Sequence, residues 1–145
     1  MLIKPKVRQD LMGSGEYGAP RGSRTHKGID FVVAKENEVI THVTGVVTKI
    51  GYPYAQKFDT KKNKLKSALR YVEITKEQRV DDKLCQVKHR FFYLNPSVRL
   101  GDAVEAGTCI GTAQDLKAIY GLTMKNHCHY EVMIGKEYYD PARFL

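Results

Sequence analysis

The chain has no apolar run that could cross a membrane, because its 145 residues nowhere offer the ~20 consecutive apolar residues that a spanning helix needs. Residues 1–10 lack the apolar core of a signal peptide and soon reach charge and proline. The three cysteines are odd in number and have no paired spacing, so they do not predict a disulfide framework. We therefore expect a protein made in the cytoplasm, without a signal peptide and with reduced thiols.

Acidic residues are also scarce relative to basic ones. The net charge of +8 comes from 24 Lys and Arg against 16 Asp and Glu, and it favours anionic partners such as wall polymers, membrane surfaces or nucleic acid. Many of the lysines lie in residues 57–66, which we interpret as part of a solvated, mobile loop over 53–67. No nucleic-acid-binding motif is present, so nucleic acid is the least expected partner.

Short strand-like segments separated by glycine turns dominate the rest of the chain. The predicted strands are 31–33, 38–50 with a break near Gly45, 69–76, 84–94 and 127–134, with an ordered loop over 11–25 and one or two helical turns over 114–121. This pattern predicts an all-β sandwich or barrel-like sheet. The length suits one domain, and no repeat, long helix or domain linker is visible.

Two segments contain residues typical of a metal site. Residues 26–30 read His-Lys-Gly-Ile-Asp and residues 127–129 read His-Cys-His. Two imidazoles and a carboxylate, with a third imidazole beside them, match a catalytic zinc site with three protein ligands and one open position. Because side chains alternate along a strand, His127 and His129 should share one face while Cys128 is buried on the other.

The chain resembles the lysostaphin-type (LytM-like) zinc endopeptidases, which cut peptidoglycan cross-bridges and stems. The resemblance rests on residues 13–31, 44–47, 98–111 and 127–131. It implies an antiparallel β-sheet core with a groove, in one domain over residues 1–145 with 1–10 as an N-terminal extension. It further implies that His26, Asp30 and His129 hold Zn²⁺, and that His127 sits beside the open position as a catalytic base or acid.

Tyr93 departs from this family pattern. Family peptidases usually carry a second catalytic histidine in a Tyr-x-His-Leu segment, whereas residues 91–94 here read Phe-Phe-Tyr-Leu. This feature resembles the non-catalytic leukocyte cell-derived chemotaxins, although those have disulfides and a signal peptide. A phenol can donate a hydrogen bond to a developing oxyanion, but with a pKa near 10 it is not a cation at neutral pH. Tyr93 is therefore either a catalytic donor or an inert replacement.

Two further histidines lie near these segments in sequence. His89 is four residues before Tyr93, so strand alternation would put both side chains on one face, where His89 could substitute from further along the groove. His42 is expected near the groove rim and not as a ligand.

Three functions remain open from the sequence, and a basic polymer-binding domain without a metal ranks last because no nucleic-acid-binding motif is present. The first is a zinc-dependent endopeptidase acting on peptidoglycan peptide cross-links, with peptidoglycan peptides or another anionic wall polymer as partners. Because no export signal is seen, we expect it in a bacteriophage setting, associated with other virion proteins or released to the cell wall at lysis. The alternative is a zinc-binding, non-catalytic homologue that serves as a structural or glycan- or protein-binding module.

Overall fold

A computed structural model of the chain describes residues 6–145. The strands in this range are β1 (Gln9–Asp10), β2 (Gly13–Ser14), β3 (Pro20–Arg21), β4 (Arg24–Thr25), β5 (Ile29–Val32), β6 (Glu38–Ile40), β7 (Gly45–Gly51), β8 (Tyr71–Val80), β9 (Lys83–Phe92), β10 (Leu94–Pro96), β11 (Ala103–Val104), β12 (Cys109–Ala113), β13 (His127–Ile134) and β14 (Glu137–Tyr139). The helices are α1 (Lys61–Ser67), α2 (Lys117–Tyr120) and a final 3-10 turn (Pro141–Phe144). None of these helices is long and apolar enough to span a bilayer.

Two antiparallel sheets form the body of residues 6–145. The larger sheet has the order β11-β7-β8-β9-β13-β14, with β5 also paired to the first half of β13. The smaller sheet has the order β10-β12-β6. Side chains of both sheets meet in one hydrophobic cluster, which includes Phe31, Val39, Ile74, Phe91, Leu94, Ile110 and Tyr130. The predicted all-β fold with an antiparallel core is confirmed.

Strand β13 separates the core from the opposite face of the larger sheet. Cys128 and Tyr130 are fully buried in the core, with Phe31 and Phe91 as their respective cross-strand partners. Full burial of one such phenylalanine contributes roughly 1.5–3 kcal/mol. His127 and His129 therefore point away from the core, as alternation predicts.

The lysine-rich segment is not the loop that its composition predicts. It contains helix α1, whose N-cap Thr60 accepts a hydrogen bond from the backbone of Asn63 at 3.0 Å. Leu65 anchors the helix against a second apolar cluster around Leu69 and Leu116. The prediction was wrong for residues 61–67, because the Thr60 cap, Leu65 and the buried Ser67 hold a short helix within the charge run.

Residues 6–10 lie beside β5. The backbone NH of Arg8 donates to Asp30 O at 2.7 Å, the NH of Val32 donates to Lys6 O at 2.7 Å, and Val7 bridges to Phe31. The first five residues of the predicted 1–10 extension lie outside the described residues. The remainder of that segment extends the sheet edge and carries the Arg8 side chain toward Asp30.

Tyr93 breaks the alternation of β9. Its φ is +72°, in the left-handed region that non-glycine residues rarely adopt. Backbone hydrogen bonds hold it there, since its NH donates to Arg70 O at 2.7 Å and its carbonyl accepts from Gln114 at 2.9 Å. The ring consequently turns to the face of Phe92, away from the core face where His89 and Phe91 point.

Candidate metal centre

Three potential ligand atoms converge on the outward face of β5 and β13. His26 Nε2, Asp30 Oδ1 and His129 Nδ1 are separated by 3.0 Å (His26–His129), 2.8 Å (His129–Asp30) and 3.1 Å (His26–Asp30). A tetrahedral zinc ion with bonds of 2.0–2.1 Å needs ligand atoms about 3.3 Å apart. The donor set and its triangular arrangement therefore fit zinc with only a slight expansion.

The strand register creates this convergence. Asp30 and His129 are direct cross-strand partners in the antiparallel pair β5–β13, so their side chains leave the sheet side by side. His26 reaches the same point from the loop before β5. Gly28 makes the approach possible, because a Cβ at this position would lie 2.7 Å from His129 Cε1 and 2.4 Å from Tyr130 O.

The far nitrogen of each ligand histidine has an acceptor. His26 Nδ1 lies 3.0 Å from the backbone oxygen of Glu16, and His129 Nε2 lies 3.0 Å from Glu131 Oε1. In the neutral form of each ring, an NH donated to this acceptor leaves the lone pair of the other ring nitrogen facing the cluster. Such partners fix the tautomer and the ring orientation of metal-binding histidines.

Buried Arg8 and half-buried Arg90 pair with the carboxylates around the centre. Arg8 Nε donates to Asp30 Oδ2 at 3.1 Å, which leaves Oδ1 for a metal. Arg90 lies 3.7 Å from Glu131 and donates to Glu73 at 2.8 Å. Each of these acids therefore has a basic partner that fixes its position.

The same contacts shift two pKa values in the metal-free site. Burial alone would raise the pKa of Asp30, but hydrogen bonds from His129 and His26 hold it well below its usual range. Burial alone would lower the pKa of His129, but hydrogen bonds to Asp30 and Glu131 raise it to about 9. At neutral pH the metal-free centre therefore contains a carboxylate and a protonated imidazole, and a metal must displace that proton.

His127 stands beside the three atoms. Its Nδ1 lies 3.0 Å from the backbone oxygen of Lys125, an acceptor, so Nδ1–H donates there and Nε2 carries the free lone pair. Nε2 lies 3.6 Å from Asp30 Oδ2. Burial lowers the pKa of His127, so the imidazole is neutral at pH 7 and can accept a proton.

Tyr93 completes the group. Its ring centre lies 5.6 Å from that of His127 and 6.3 Å from that of His129. Its hydroxyl lies 3.2 Å from the hydroxyl of Tyr54, which in turn lies 3.5 Å from that of Tyr120. Burial and the neighbouring phenol hold the pKa of Tyr93 well above its usual range, so its hydroxyl keeps its proton.

All five predicted site residues line one open groove of about 390 Å³. These residues are His26, Asp30, Tyr93, His127 and His129. Their roles as ligands, base and donor remain predictions.

The other two histidines lie elsewhere. His89 Nδ1 is 2.7 Å from the hydroxyl of Tyr130, and His42 Nε2 is 3.1 Å from the same hydroxyl, on the core side of the sheet. The expectation that His89 shares a face with Tyr93 is wrong because the positive φ of Tyr93 reverses the alternation. The expectation of His42 at the groove rim is wrong as well.

The sequence reasoning missed Arg8 and Glu131. Glu131 is two residues after His129, so strand alternation alone could have placed it on the metal face. Arg8 gave no such indication, because its position depends on the pairing of residues 6–10 with β5.

The chain matches the model of peptidase family M23 over residues 24–141. It belongs to this family. The match spans both ligand segments and the Tyr93 region, so the resemblance to lysostaphin-type enzymes is confirmed at the level of the family.

Solved M23 structures share the fold. A point mutant of the catalytic domain of EnpA, a prophage-encoded M23 protein from Enterococcus faecalis, aligns over 98% of this chain and 93% of its own, with 18% identity and a TM-score of 0.61. The catalytic domain of lysostaphin from Staphylococcus simulans aligns over 94% and 91%, with 19% identity and a TM-score of 0.56. LytU aligns over 99% and 86%, with 21% identity and a TM-score of 0.59.

Raising the pH from 6.5 to 9 should destabilise the metal-free M23 domain. The raised pKa of His129 stabilises the fold fully below pH 6.5, and this contribution is lost as the pH rises through about 9. We expect the free energy of unfolding in urea to fall by up to about 3 kcal/mol. In the His129→Gln variant the free energy of unfolding should change less over the same pH interval. An equally small change in the wild type would contradict the raised pKa of His129.

Replacing Glu131 should weaken metal binding. Glu131→Gln keeps an oxygen near His129 Nε2 but removes the charge, so zinc affinity in a chelator competition should fall roughly 10–100-fold. Glu137→Gln makes the same change at an exposed position on β14 and should leave the affinity unchanged. Equal affinities of the two variants would show that Glu131 does not support the centre.

Proposed function

We propose that this M23 domain is a zinc-dependent endopeptidase acting on peptidoglycan peptide cross-links. Family membership and the fold neighbours support a peptidase that acts on peptidoglycan. The observation that carries the zinc chemistry is the triangle of His26 Nε2, Asp30 Oδ1 and His129 Nδ1, with its free side open to the groove. Three ligands and one open position are typical of catalytic zinc, whereas structural sites have four protein ligands.

A zinc ion held by these residues would polarise the scissile carbonyl and lower the pKa of water in contact with it to about 7. His127 then acts as the general base. Its Nε2 lone pair faces the centre, so it accepts a proton from the attacking water and passes it to the leaving amine. The carbonyl of Lys125 fixes the tautomer that this transfer requires.

Tyr93 supplies the second catalytic group in this proposal. Its hydroxyl stays protonated and can donate a hydrogen bond to the oxyanion that develops on the carbonyl. Tyr54 can accept from or donate to the same hydroxyl, which holds the phenol in position before substrate binds. A neutral donor stabilises the developing charge less than the cationic histidine usual in the family would.

Digestion of purified peptidoglycan tests the proposal. The zinc-loaded protein should generate new amino termini, and the chelated protein should not. His127→Ala should lower the rate by about 10²–10⁴, because the base is lost while the three metal ligands remain. Stoichiometric zinc binding without new termini would refute the peptidase and support the non-catalytic alternative.

The role of Tyr93 has its own test. Tyr93→Phe removes only the hydroxyl, so kcat should fall by about 10²–10³ with little change in KM. Tyr17→Phe, at an exposed position outside the groove, should match the wild type. A wild-type rate for Tyr93→Phe would make Tyr93 a packing residue.

A second candidate function is a zinc-binding module without catalysis. The observation that favours it is Tyr93 itself, which occupies the position of a family catalytic histidine and whose hydroxyl already has a phenol partner. Such a module would hold wall glycan or peptide in the groove and release it intact.

A bacteriophage setting stays part of the proposal. One fold neighbour is a prophage-encoded M23 protein, which supports this setting by analogy of fold alone. In that setting the domain would act from the virion or after release at lysis.

A further inference from the structure

Basic side chains dominate the part of the groove formed by residues 21–27. Arg21, Arg24 and Lys27 all line it. Arg21 is anchored, since its guanidinium donates to Ser14 O at 2.7 Å and to Pro20 O at 3.0 Å. Arg24 and Lys27 are exposed, and within residues 6–145 neither forms an ion pair.

Helix α1 places positive charge next to two residues of the lining. Tyr54 and Tyr120 line the groove, and Lys66 Nζ lies 4.8 Å from the ring centre of Tyr54. Lys62 Nζ lies 5.9 Å from the ring centre of Tyr120. Two lysines of the run therefore lie against tyrosines that line the groove.

The acids of the groove do not neutralise this charge. Among the lining residues within 6–145 the acids are Asp30 and Glu131. Asp30 is engaged by Arg8, by His26 and His129 and, at 3.8 Å, by Arg21, and Glu131 is engaged by Arg90 and His129, so Arg24 and Lys27 keep their charge. A bound divalent metal would make the potential more positive still, so the groove favours an anionic ligand.

We propose that the groove selects peptides that carry a free carboxylate close to the bond held at the metal centre, and that Arg24 binds this carboxylate. The proposal rests on the proposed function and specifies its substrate class. A guanidinium presents a rigid fork of donors that matches a carboxylate bidentately. Arg24 suits this role because it lies two residues before His26 and lines the groove. Within residues 6–145 its guanidinium forms no ion pair.

A peptide carboxylate fits these observations better than a phosphate polymer does. The cations lie around a groove of about 390 Å³ beside the proposed metal centre, and a groove of this size suits a short peptide segment. A neutral oligoglycine peptide would leave Arg24 without a carboxylate partner, so Arg24 would not increase its affinity. The domain should therefore discriminate acidic stem peptides from neutral bridges.

A pair of labelled synthetic peptides that differ only in Glu or Gln at one internal position tests the proposal. Binding to the zinc-loaded wild type is measured by fluorescence polarisation, and cleavage of purified peptidoglycan is followed in parallel. The Glu peptide should bind about tenfold more tightly, as expected for one charge-assisted hydrogen bond. Arg24→Gln should reduce this ratio to near one, while Arg99→Gln, an exposed arginine outside the groove, should preserve it.

The outcomes separate the two proposals. Peptidoglycan cleavage without discrimination between the peptides would overturn the carboxylate site and leave the peptidase intact. Neither binding nor cleavage would overturn both. Equal loss of the binding ratio in Arg24→Gln and Arg99→Gln would show nonspecific charge attraction and overturn the proposal. Arg24-dependent binding of inorganic polyphosphate, without discrimination between the two peptides, would also overturn it and would assign Arg24 to phosphate polymers.

Discussion

The pairing of Asp30 with His129 across β5 and β13 is the constraint on which the site depends. These two residues come from segments 99 positions apart in sequence, and the antiparallel register sets them directly opposite each other. A one-residue slip of β5 along β13 would turn Asp30 into the core and Phe31 out of it. Phe31 opposite Cys128, buried on the reverse face, opposes such a slip, so core packing and site geometry are fixed by the same register.

Charge compensation governs the surroundings of this pair. Arg8 donates to Asp30 Oδ2, the oxygen that is not part of the ligand triangle. Arg90 contacts both Glu131 and Glu73. Arg21 also lies 3.8 Å from Asp30, so these contacts satisfy the acids near the centre without using Arg24 or Lys27. The charges around the candidate metal centre are therefore paired, while Arg24 and Lys27 leave positive charge in the groove.

Strand alternation correctly predicted the side-chain directions of the site residues on β13. It failed where an unusual backbone conformation or a long-range strand pairing sets the position of a side chain. Alternation placed His127 and His129 together and buried Cys128, because β13 is a regular strand. The same reasoning failed at Tyr93, where a left-handed φ imposed by hydrogen bonds to Arg70 and Gln114 reverses the direction of the side chain. Arg8 could not be predicted, since its place follows from the pairing of a short irregular segment with β5.

X-ray absorption spectroscopy of the zinc-loaded protein tests the central claim most directly. His26, Asp30 and His129 with an open fourth position predict four nitrogen or oxygen scatterers at about 2.0–2.1 Å, imidazole multiple scattering from two rings, and no sulfur. In His129→Ala the imidazole signal should decrease to one ring. A sulfur shell near 2.3 Å, or an unchanged spectrum in that variant, would place the zinc elsewhere and contradict the account.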